Sequence, residues 1–333
     1  MTNSWHKILF LIVLFGVVTI LNVQPHAEEV ELFEDRSSNL LAAETARLLP
    51  RQYVVDNQEG LKISRTLSIS ESQALIPLSG GPLEEPEQKD SNELQTSLAL
   101  AVDVINGEVF FEENVNRRWS LASLSKMMTA VTASKLLSKD QVVKISDSDF
   151  SPLDPSEYHS LKVGESYTVE DLIRAMMVGS SNQAAEALAR IAGREEFIKE
   201  MNSQAANWGM PDTYFGDPTG LSSVNQSTLN DVKTMVGHIW REYPEVFAYS
   251  RPANRSLTDP LTRKTVTVYA IHRFAGRADF LGGKTGYTEA AKENLVSLFD
   301  IQGRTILIVV MGSDNRFSDT DKLLRLVRER IPS

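Results

Sequence analysis

The sequence contains no cysteine in its 333 residues and has fewer basic side chains than acidic ones, 34 lysines and arginines against 44 aspartates and glutamates. Without cysteine the chain cannot form disulfides, zinc–thiolate sites or a thiol nucleophile, although the composition is compatible with an oxidising compartment. The formal net charge of −10 gives no electrostatic support for nucleic-acid binding, so no nucleic-acid partner is predicted. The five histidines show no metal-ligand spacing, and the sequence therefore predicts no metal site.

The amino terminus has the pattern of an export signal. Residues 8–21 are nearly all apolar, Lys7 precedes them, and Pro25 follows the run. An apolar core of about 14–16 residues is short for a membrane-spanning helix and typical of a signal peptide. Cleavage after Ala27 would place Pro25 at a position that prefers a small residue. The alternative is a buried core helix, but no polar residue interrupts the run to give it an outer face. We therefore assign residues 1–27 to a signal peptide or an uncleaved signal anchor that attaches the protein to the membrane, and expect an extracytoplasmic location.

Residues 28–93 differ in composition from the rest of the chain. They contain about fourteen acidic side chains against six basic ones, or roughly −8 in charge. Glycine and proline at 80–82, followed by an acidic run, indicate a solvated linker with little order. The pattern becomes globular from Leu94. We therefore divide the rest of the chain into an acidic linker at 28–93 and one globular domain at 94–333.

Two β-hairpins are predicted near the ends of this domain. Asn106-Gly107 lies between two apolar runs, which is a strong hairpin signal, and Gln302-Gly303 lies between two more. The four predicted strands are residues 98–104, 109–111, 295–299 and 305–311. The predicted helices are residues 123–137, 169–177, 183–191, 228–240 and 319–330. Strands at both ends with helices between them predict an α+β fold, in which the two ends form one sheet.

Ser123 and Lys126 form the first candidate site. At the start of a predicted helix, a spacing of three places both side chains on one face, one turn apart. A serine hydroxyl is a weak nucleophile until a base takes its proton, and a lysine kept neutral by desolvation and cationic neighbours is such a base. Taken alone, the pair also fits a capping serine beside a solvated lysine.

Two further polar motifs occupy suitable positions. Ser180-Ser181-Asn182 lies between two predicted helices, where a hydroxyl can relay a proton and an amide can hold a lysine or a substrate amide. Lys284-Thr285-Gly286 follows a predicted edge strand at 280–283, where a cation and a hydroxyl suit a carboxylate. The glycine there lets a ligand backbone approach. In isolation each motif also fits a polar turn.

The order of the three motifs resembles a known signature. Ser-x-x-Lys, Ser-x-Asn and Lys-Thr-Gly occur in this order in penicillin-binding proteins and serine β-lactamases. Residues 122–129, 217–221 and 284–291 are similar to segments of the low-molecular-mass D-alanyl-D-alanine carboxypeptidases of peptidase family S11. The resemblance covers residues 94–333 and implies a DD-peptidase/β-lactamase-like fold. That fold has an antiparallel sheet of about five strands flanked by helices, beside a mostly helical lobe.

The resemblance also implies a substrate and a reaction. The substrate is a peptidoglycan stem peptide (a muropeptide) that ends in D-Ala-D-Ala, in the periplasm or cell envelope, and β-lactams act as covalent inhibitors. No cofactor is required. Ser123 attacks the penultimate carbonyl, Lys126 is the general base, Ser180 relays a proton to the leaving D-alanine, and Asn182 positions Lys126 and the substrate amide.

The remaining implied site residues bind the substrate. Lys284 and Thr285, with Gly286 beside them, hold the region of the terminal carboxylate. The backbone N–H of Tyr287 completes an oxyanion hole with that of Ser123. Arg316 matches an arginine that binds the free carboxylate through two parallel hydrogen bonds. It also fits a solvated arginine that caps a loop or pairs with Asp314 or Asp319.

The sequence departs from the family pattern at three points. Asp217 stands where the family usually has asparagine, and His272 stands where it often has asparagine. The glutamate that class A β-lactamases use for deacylation is not evident, which disfavours a β-lactamase. A DD-endopeptidase that cuts cross-bridges has the same motifs and remains an alternative, as does, less favourably, a wall-binding module without activity.

Overall fold

The structure is a computed structural model that describes residues 93–96, 98–151 and 161–331. The predicted signal segment at 1–27, and all of the predicted linker except Glu93, lie outside the described residues. Within the described ranges, no helix combines the length and the apolar character needed to span a bilayer.

A five-stranded antiparallel sheet forms the centre of the described domain. In chain order, the strands of the described residues are β1 (Leu98–Asp103), β2 (Val109–Glu113), β3 (Trp119–Ser120), β4 (Val142–Lys144), β5 (Ser166–Thr168), β6 (Gln226–Ser227), β7 (Asn254–Thr258), β8 (Thr265–Tyr269), β9 (Phe280–Thr288), β10 (Lys292–Ile301) and β11 (Arg304–Ser313). Five of them form the central sheet, in the order β2-β1-β11-β10-β9, and every neighbouring pair is antiparallel. The other strands of the described residues pair in three small two-stranded sheets. The prediction of one sheet built from both ends of the domain is confirmed, and β9 is an open edge.

Helices precede, connect and cover the strands. They are α1 (Lys126–Leu136), α2 (Val169–Gly179), α3 (Asn182–Ile191), α4 (Arg194–Asn207), α5 (Leu229–Glu242), α6 (Pro244–Ser250) and α7 (Arg316–Arg330). The Thr168 hydroxyl accepts a hydrogen bond from Asp171 N at the start of α2, and Thr228 does the same for Asp231 N at α5. These caps explain why both helices begin where their sequences predict.

The two predicted hairpins are confirmed, but their turns differ. Gln302 and Gly303 have φ +55° and +79°, and positive φ at both central residues of a two-residue turn matches the twist of the adjoining strands. The first connection is longer, because Asp103 N donates to the Glu108 carbonyl oxygen, and of the Asn106-Gly107 pair only Gly107, at φ +77°, has a positive φ. The second turn pairs β10 with β11 over eight residue pairs, as many as β10 forms with β9.

The sheet is buried on both faces. On one face of β1, Leu98, Leu100 and Val102 pack in the larger apolar core with the helices α1 to α6. On the other face, Ala99 and Ala101 pack in a second core beneath α7. Every residue of β1 is buried. The mostly helical lobe and α7 therefore cover opposite faces, and the edge of β9 faces the lobe.

The structure differs from the predictions at two helix starts. The helix predicted from Ser123 begins as a 3₁₀ turn at Ala122–Ser125, and α1 starts only at Lys126. The last helix begins at Arg316 rather than residue 319, because the Asn315 side chain accepts a hydrogen bond from Ser318 N. The helices α4 and α6 and the β7–β8 hairpin were not predicted.

Candidate active site

The structure brings Ser123 and Lys126 together at the junction of the 3₁₀ turn and α1. Lys126 Nζ lies 2.8 Å from Ser123 Oγ, and the lysine side chain is completely buried. The preceding residue, Ala122, has φ +47°, a left-handed conformation that costs a non-glycine residue about 1–3 kcal/mol. The surrounding contacts must hold this turn in place, and it presents the hydroxyl to the groove between β9 and the lobe.

Lys126 Nζ also donates to two oxygens from distant parts of the chain. Asn182 Oδ1 and the Thr219 carbonyl oxygen each lie 2.6 Å from it. Both oxygens can only accept, whereas the Ser123 hydroxyl can accept or donate. A neutral Lys126 would give its two N–H groups to these oxygens and point its lone pair at Ser123 Oγ. That is the geometry a general base requires.

The segment Ser180–Asn182 connects α2 to α3. Ser180 ends α2 with φ +57°, Ser181 caps α3 by accepting from Ala184 N, and Asn182 is the first residue of α3. The left-handed Ser180 turns the chain sharply enough that the side chains of Ser180 and Asn182 face the groove. The prediction that this motif forms an interhelical connection is confirmed.

Lys284 reaches the same groove from the opposite side. It lies on β9 and is 1% exposed, and its Nζ donates to Ser180 Oγ and to the Thr285 carbonyl oxygen, both at 2.8 Å. Burial, with Lys126 and Arg316 nearby, holds the pKa of Lys284 well below its usual value. The repulsion between the two lysines disfavours having both charged at once. An anion placed beside Lys284 would oppose that effect.

The residues around Lys284 shape the edge of the groove. Thr285 is 6% exposed, and a Cβ atom on Gly286 would lie only 3.0 Å from the Leu121 carbonyl oxygen. Gly286 therefore lets β9 run close to the 3₁₀ turn that carries Ser123. Tyr287 is next on the strand, and its side chain is 63% exposed.

Arg316 lies at the start of α7, behind the same strand. Its Nη1 donates to the Gly286 carbonyl oxygen at 2.8 Å, and its backbone N–H donates to Glu293 Oε2 at 3.0 Å. Burial lowers the pKa of the guanidinium, and the Glu293 carboxylate opposes that shift. Among the described residues, Arg316 Nε has no hydrogen-bond partner. Neither of the two acids considered as partners of Arg316 is paired with it: Asp314 pairs with Lys292, and the Asp319 carboxylate accepts hydrogen bonds from Gln95 N and Ser313 Oγ.

One contributor to the site was given no role by the sequence. The Asp217–Asn225 loop supplies the Thr219 oxygen to Lys126, and a Cβ atom on Gly220 would lie 1.8 Å from the Ala122 carbonyl oxygen. The Asp-Pro-Thr-Gly-Leu segment was the available signal, since aspartate, proline and glycine mark a tight loop. Its function depends on a backbone carbonyl, which no residue type reveals.

The acidic and histidine side chains of the described residues form no cluster of three or more that could hold a metal ion. His272 is buried behind β9, where its Nε2 lies 3.2 Å from both the Val296 carbonyl oxygen and Ser297 Oγ. Burial, together with the nearby cations Lys284 and Arg316, lowers the pKa of His272 to about 3, and the hydrogen bond with the Val296 carbonyl oxygen opposes this shift.

The three motifs thus meet in one groove, and comparison with known families decides the identity. The model of the D-alanyl-D-alanine carboxypeptidase family, peptidase S11, matches residues 84–315. The chain belongs to this family. Membership confirms the prediction of a serine-type D-Ala-D-Ala carboxypeptidase, a hydrolase. The S11 match begins ahead of the predicted boundary at residue 94 and ends one residue before Arg316.

Relatives and a solved structure agree with this assignment. The chain is 28% identical over 275 residues to a D-alanyl-D-alanine endopeptidase of Pseudomonas aeruginosa, covering 80% of this chain and 85% of the relative. It is 26% identical over 249 residues to the D-alanyl-D-alanine carboxypeptidase DacF of Bacillus subtilis, covering 72% and 63%. Penicillin-binding protein D2 of Listeria monocytogenes, solved with cefotaxime bound, superposes with a TM-score of 0.62 at 28% identity, covering 70% and 97%. The predicted DD-peptidase fold is confirmed.

Proposed function

We propose that this S11 enzyme removes the terminal D-alanine from peptidoglycan stem peptides through an acyl-enzyme on Ser123. The observation that carries the proposal is the contact of Lys126 Nζ with Ser123 Oγ at 2.8 Å, inside a groove that also presents Ser180, Asn182 and Lys284. A buried lysine beside a serine, rather than a histidine–aspartate pair, supplies the base.

Acylation begins with attack of Ser123 Oγ on the carbonyl carbon of the penultimate D-alanine. Lys126 takes the hydroxyl proton as the new C–O bond forms. The backbone N–H groups of Ser123 and Tyr287 are assigned to the negatively charged oxygen of the tetrahedral intermediate. Ser180 passes a proton to the leaving nitrogen as the C–N bond breaks, and D-alanine departs. Water then cleaves the ester and restores Ser123.

Substrate binding is assigned to the cationic side of the groove. Lys284 and Thr285 lie on β9, and Arg316 lies behind it, so a terminal carboxylate placed against this strand meets two cations and a hydroxyl. The same carboxylate would raise the proton affinity of Lys284, whose burial otherwise disfavours charge. Asn182 is close enough to hold both Lys126 and the substrate amide.

Labelling with a fluorescent penicillin tests the proposal. β-Lactams present a carboxylate and a reactive carbonyl in the same relative positions as the D-Ala-D-Ala end of the proposed substrate. A relative with this fold was solved with cefotaxime bound. We expect one covalent adduct per chain by intact mass, and release of D-alanine from a pentapeptide ending in D-Ala-D-Ala. Ser123→Ala removes one oxygen and should abolish both. Full labelling of that variant would overturn the proposal.

A DD-endopeptidase is the second candidate, because one of the relatives above is named a D-alanyl-D-alanine endopeptidase. The chemistry at Ser123 is the same, and only the leaving group differs. Purified cross-linked muropeptide dimers and monomeric pentapeptides, offered at equal concentration, separate the two activities by chromatography of the products. Faster cleavage of the dimer would make endopeptidase the principal activity.

We also propose that the protein acts outside the cytoplasm, in the periplasm or cell envelope, where its substrate is located. The support is the apolar segment at residues 8–21 that follows Lys7, whereas the poor cleavage signal at Ala27 bears only on whether the segment is removed. The segment then either directs export and is removed, or remains as a membrane anchor with residues 28–93 as a tether. Mass spectrometry of the mature amino terminus distinguishes the two, and recovery of the protein from the cytoplasmic fraction would contradict both.

A further inference from the structure

The Asp217 carboxylate binds an unusual number of donors for a residue that contacts no catalytic side chain directly. It is 7% exposed. Its Oδ1 accepts from Thr219 N, Thr219 Oγ1 and Gly220 N, each at 2.6 Å, and its Oδ2 accepts from Ser222 N at 2.8 Å. One side chain therefore closes the whole turn from residue 217 to residue 222.

This turn is attached to the helix that carries Lys126. The Thr219 carbonyl oxygen accepts from Lys126 Nζ, and the Pro218 carbonyl oxygen accepts from Thr129 Oγ1, both at 2.6 Å. At its far end, Asn225 Nδ2 donates to Ser125 Oγ at 2.9 Å. A shift of the turn would therefore move an oxygen that fixes the direction of the Lys126 amine.

The four donors around Asp217 favour a carboxylate at this position. Both oxygens of Asp217 face N–H or O–H groups only, and an ionised carboxylate accepts on both sides. An asparagine would place an NH₂ group against either Ser222 N–H or the three donors of Thr219 and Gly220. Donor would then face donor in a buried place, which costs the hydrogen bond and the desolvation of the group left unpaired. The aspartate that departs from the usual S11 residue thus matches its own surroundings.

We propose that Asp217 is a positioning residue for acyl transfer: through the Thr219 carbonyl it holds the Lys126 amine toward Ser123. The inference rests on the proposed function, because it concerns the same nucleophile and base. A displacement of about 1 Å at a catalytic group lowers rates on the order of 10²-fold. Asp217 does not touch Lys284, Thr285 or Arg316, so loss of its charge should slow chemistry without weakening ligand binding.

The test separates these two effects by measuring acylation at increasing penicillin concentration. The saturation curve gives a dissociation constant for the non-covalent complex and a first-order acylation constant. For Asp217→Asn we expect the acylation constant to fall roughly 10- to 100-fold, with the dissociation constant within about twofold of the wild type. Thr219→Ala keeps the carboxylate but removes one of its donors, and it should show a smaller loss of the same kind.

Asp259→Asn is the matched control. Asp259 is 3% exposed and accepts from Leu261 N, Thr262 N and Ser166 N at 2.8–3.1 Å, so it closes a buried turn with a similar donor set away from Ser123. We expect this variant to lose thermal stability as Asp217→Asn does, but to keep the wild-type acylation constant.

The outcomes distinguish this inference from the proposed function. An unchanged acylation constant in folded Asp217→Asn, or an equal loss in Asp259→Asn, would overturn the positioning role. If Asp217→Asn fails to fold, Thr219→Ala decides, and a wild-type acylation constant in that variant would overturn the role. Absence of acylation in the wild type would instead contradict the proposed function itself.

Discussion

Ser180 Oγ accepts a hydrogen bond from Lys284 Nζ at 2.8 Å across the groove between the helical lobe and β9. Two residues further along the same loop, Asn182 Oδ1 accepts from Lys126 Nζ at 2.6 Å. One short segment therefore contacts both buried lysines, Lys126 at the start of α1 and Lys284 on β9. A shift of Ser180 toward or away from Lys284 would therefore also move Asn182, which holds the Lys126 amine.

This link predicts that Ser180→Ala causes a large loss of acylation rate and only a small loss of stability. The substitution removes the proposed proton relay and leaves a donor of Lys284 without its oxygen, and proton-transfer assistance is typically worth about 10²–10⁴-fold. Ser181→Ala is the matched control, because Ser181 caps α3 and its loss should cost about 1 kcal/mol of stability with little effect on rate. Acylation rates and thermal unfolding of both variants check the prediction, which fails if the two variants lose rate equally.

The proposed role of Lys126 as general base predicts a loss of acylation rate when its amine is removed. Lys126→Ala should lower the acylation rate constant by about 10²–10⁴-fold, because no other amine in the described residues contacts Ser123 Oγ. Lys135→Ala is the control on α1, where the side chain is exposed and pairs with Glu200. Stopped-flow acylation with a chromogenic cephalosporin measures both. Wild-type kinetics in Lys126→Ala would remove this lysine from the mechanism.

Much of the fold could be predicted because its signals are local. The Asn106-Gly107 and Gln302-Gly303 turns and the threonine caps of α2 and α5 act within a few residues of themselves. By contrast, the 3₁₀ turn that holds Ser123 depends on Ala122 at φ +47°, and that conformation is kept by packing against Gly220 and Gly286. No local pattern specifies such a contact.

The candidate site divides in the same way. Ser123 and Lys126 lie one turn apart, so their spacing predicts contact, whereas Lys126 and the Thr219 carbonyl are 93 positions apart in the chain. The resemblance placed the three motifs in one groove, and their side-chain types then suggested their chemistry. The Thr219 carbonyl oxygen that accepts from Lys126, and the Asp217 carboxylate that holds the turn around it, could be identified only from the structure.

Gly220 lies so close to the 3₁₀ turn that carries Ser123 that adding one methyl group to it should displace this turn. Gly220 has φ +84°, and the Cβ atom of Gly220→Ala would lie 1.8 Å from the Ala122 carbonyl oxygen and 3.0 Å from Ser123 N. We expect a loss of thermal stability together with a large loss of acylation rate. Gly209→Ala is the control, with φ +73° and no atom within 4 Å, so only the backbone cost of about 1–2 kcal/mol applies. Retention of wild-type acylation in Gly220→Ala would show that the turn can move without consequence.

The buried His272 predicts a specific dependence of stability on pH. Its pKa is about 3 in the folded protein and 6.5 in the unfolded chain, so above pH 6.5 the ring is neutral in both states. Between those values only the unfolded chain binds the proton, and the free energy of unfolding falls as pH falls, by about 1.4 kcal/mol per pH unit. His272→Asn should reduce this slope, as measured by denaturant unfolding from pH 7 to pH 4. Equal slopes in both proteins would mean that the ring gains a proton without unfolding.

The proposed binding of the substrate carboxylate by Arg316 predicts a loss of activity that depends on the charge of the substrate. The guanidinium is held by the Gly286 carbonyl oxygen through Nη1, and Glu293 lies 3.9 Å from Nε, which leaves the side chain beside the strand that carries Lys284. Arg316→Ala should lower kcat/KM for D-Ala-D-Ala peptides roughly 10- to 150-fold. This loss corresponds to about 1.5–3 kcal/mol of transition-state stabilisation. The same substitution should have little effect on a peptide whose terminal carboxylate is amidated, because that peptide carries no charge for the guanidinium to bind. Arg328→Ala, an exposed change on the same helix that breaks only a surface pair with Asp279, serves as the control and should affect neither peptide. Equal losses on both peptides would mean that Arg316 supports β9 through Gly286, and that the carboxylate is bound by Lys284 and Thr285 alone.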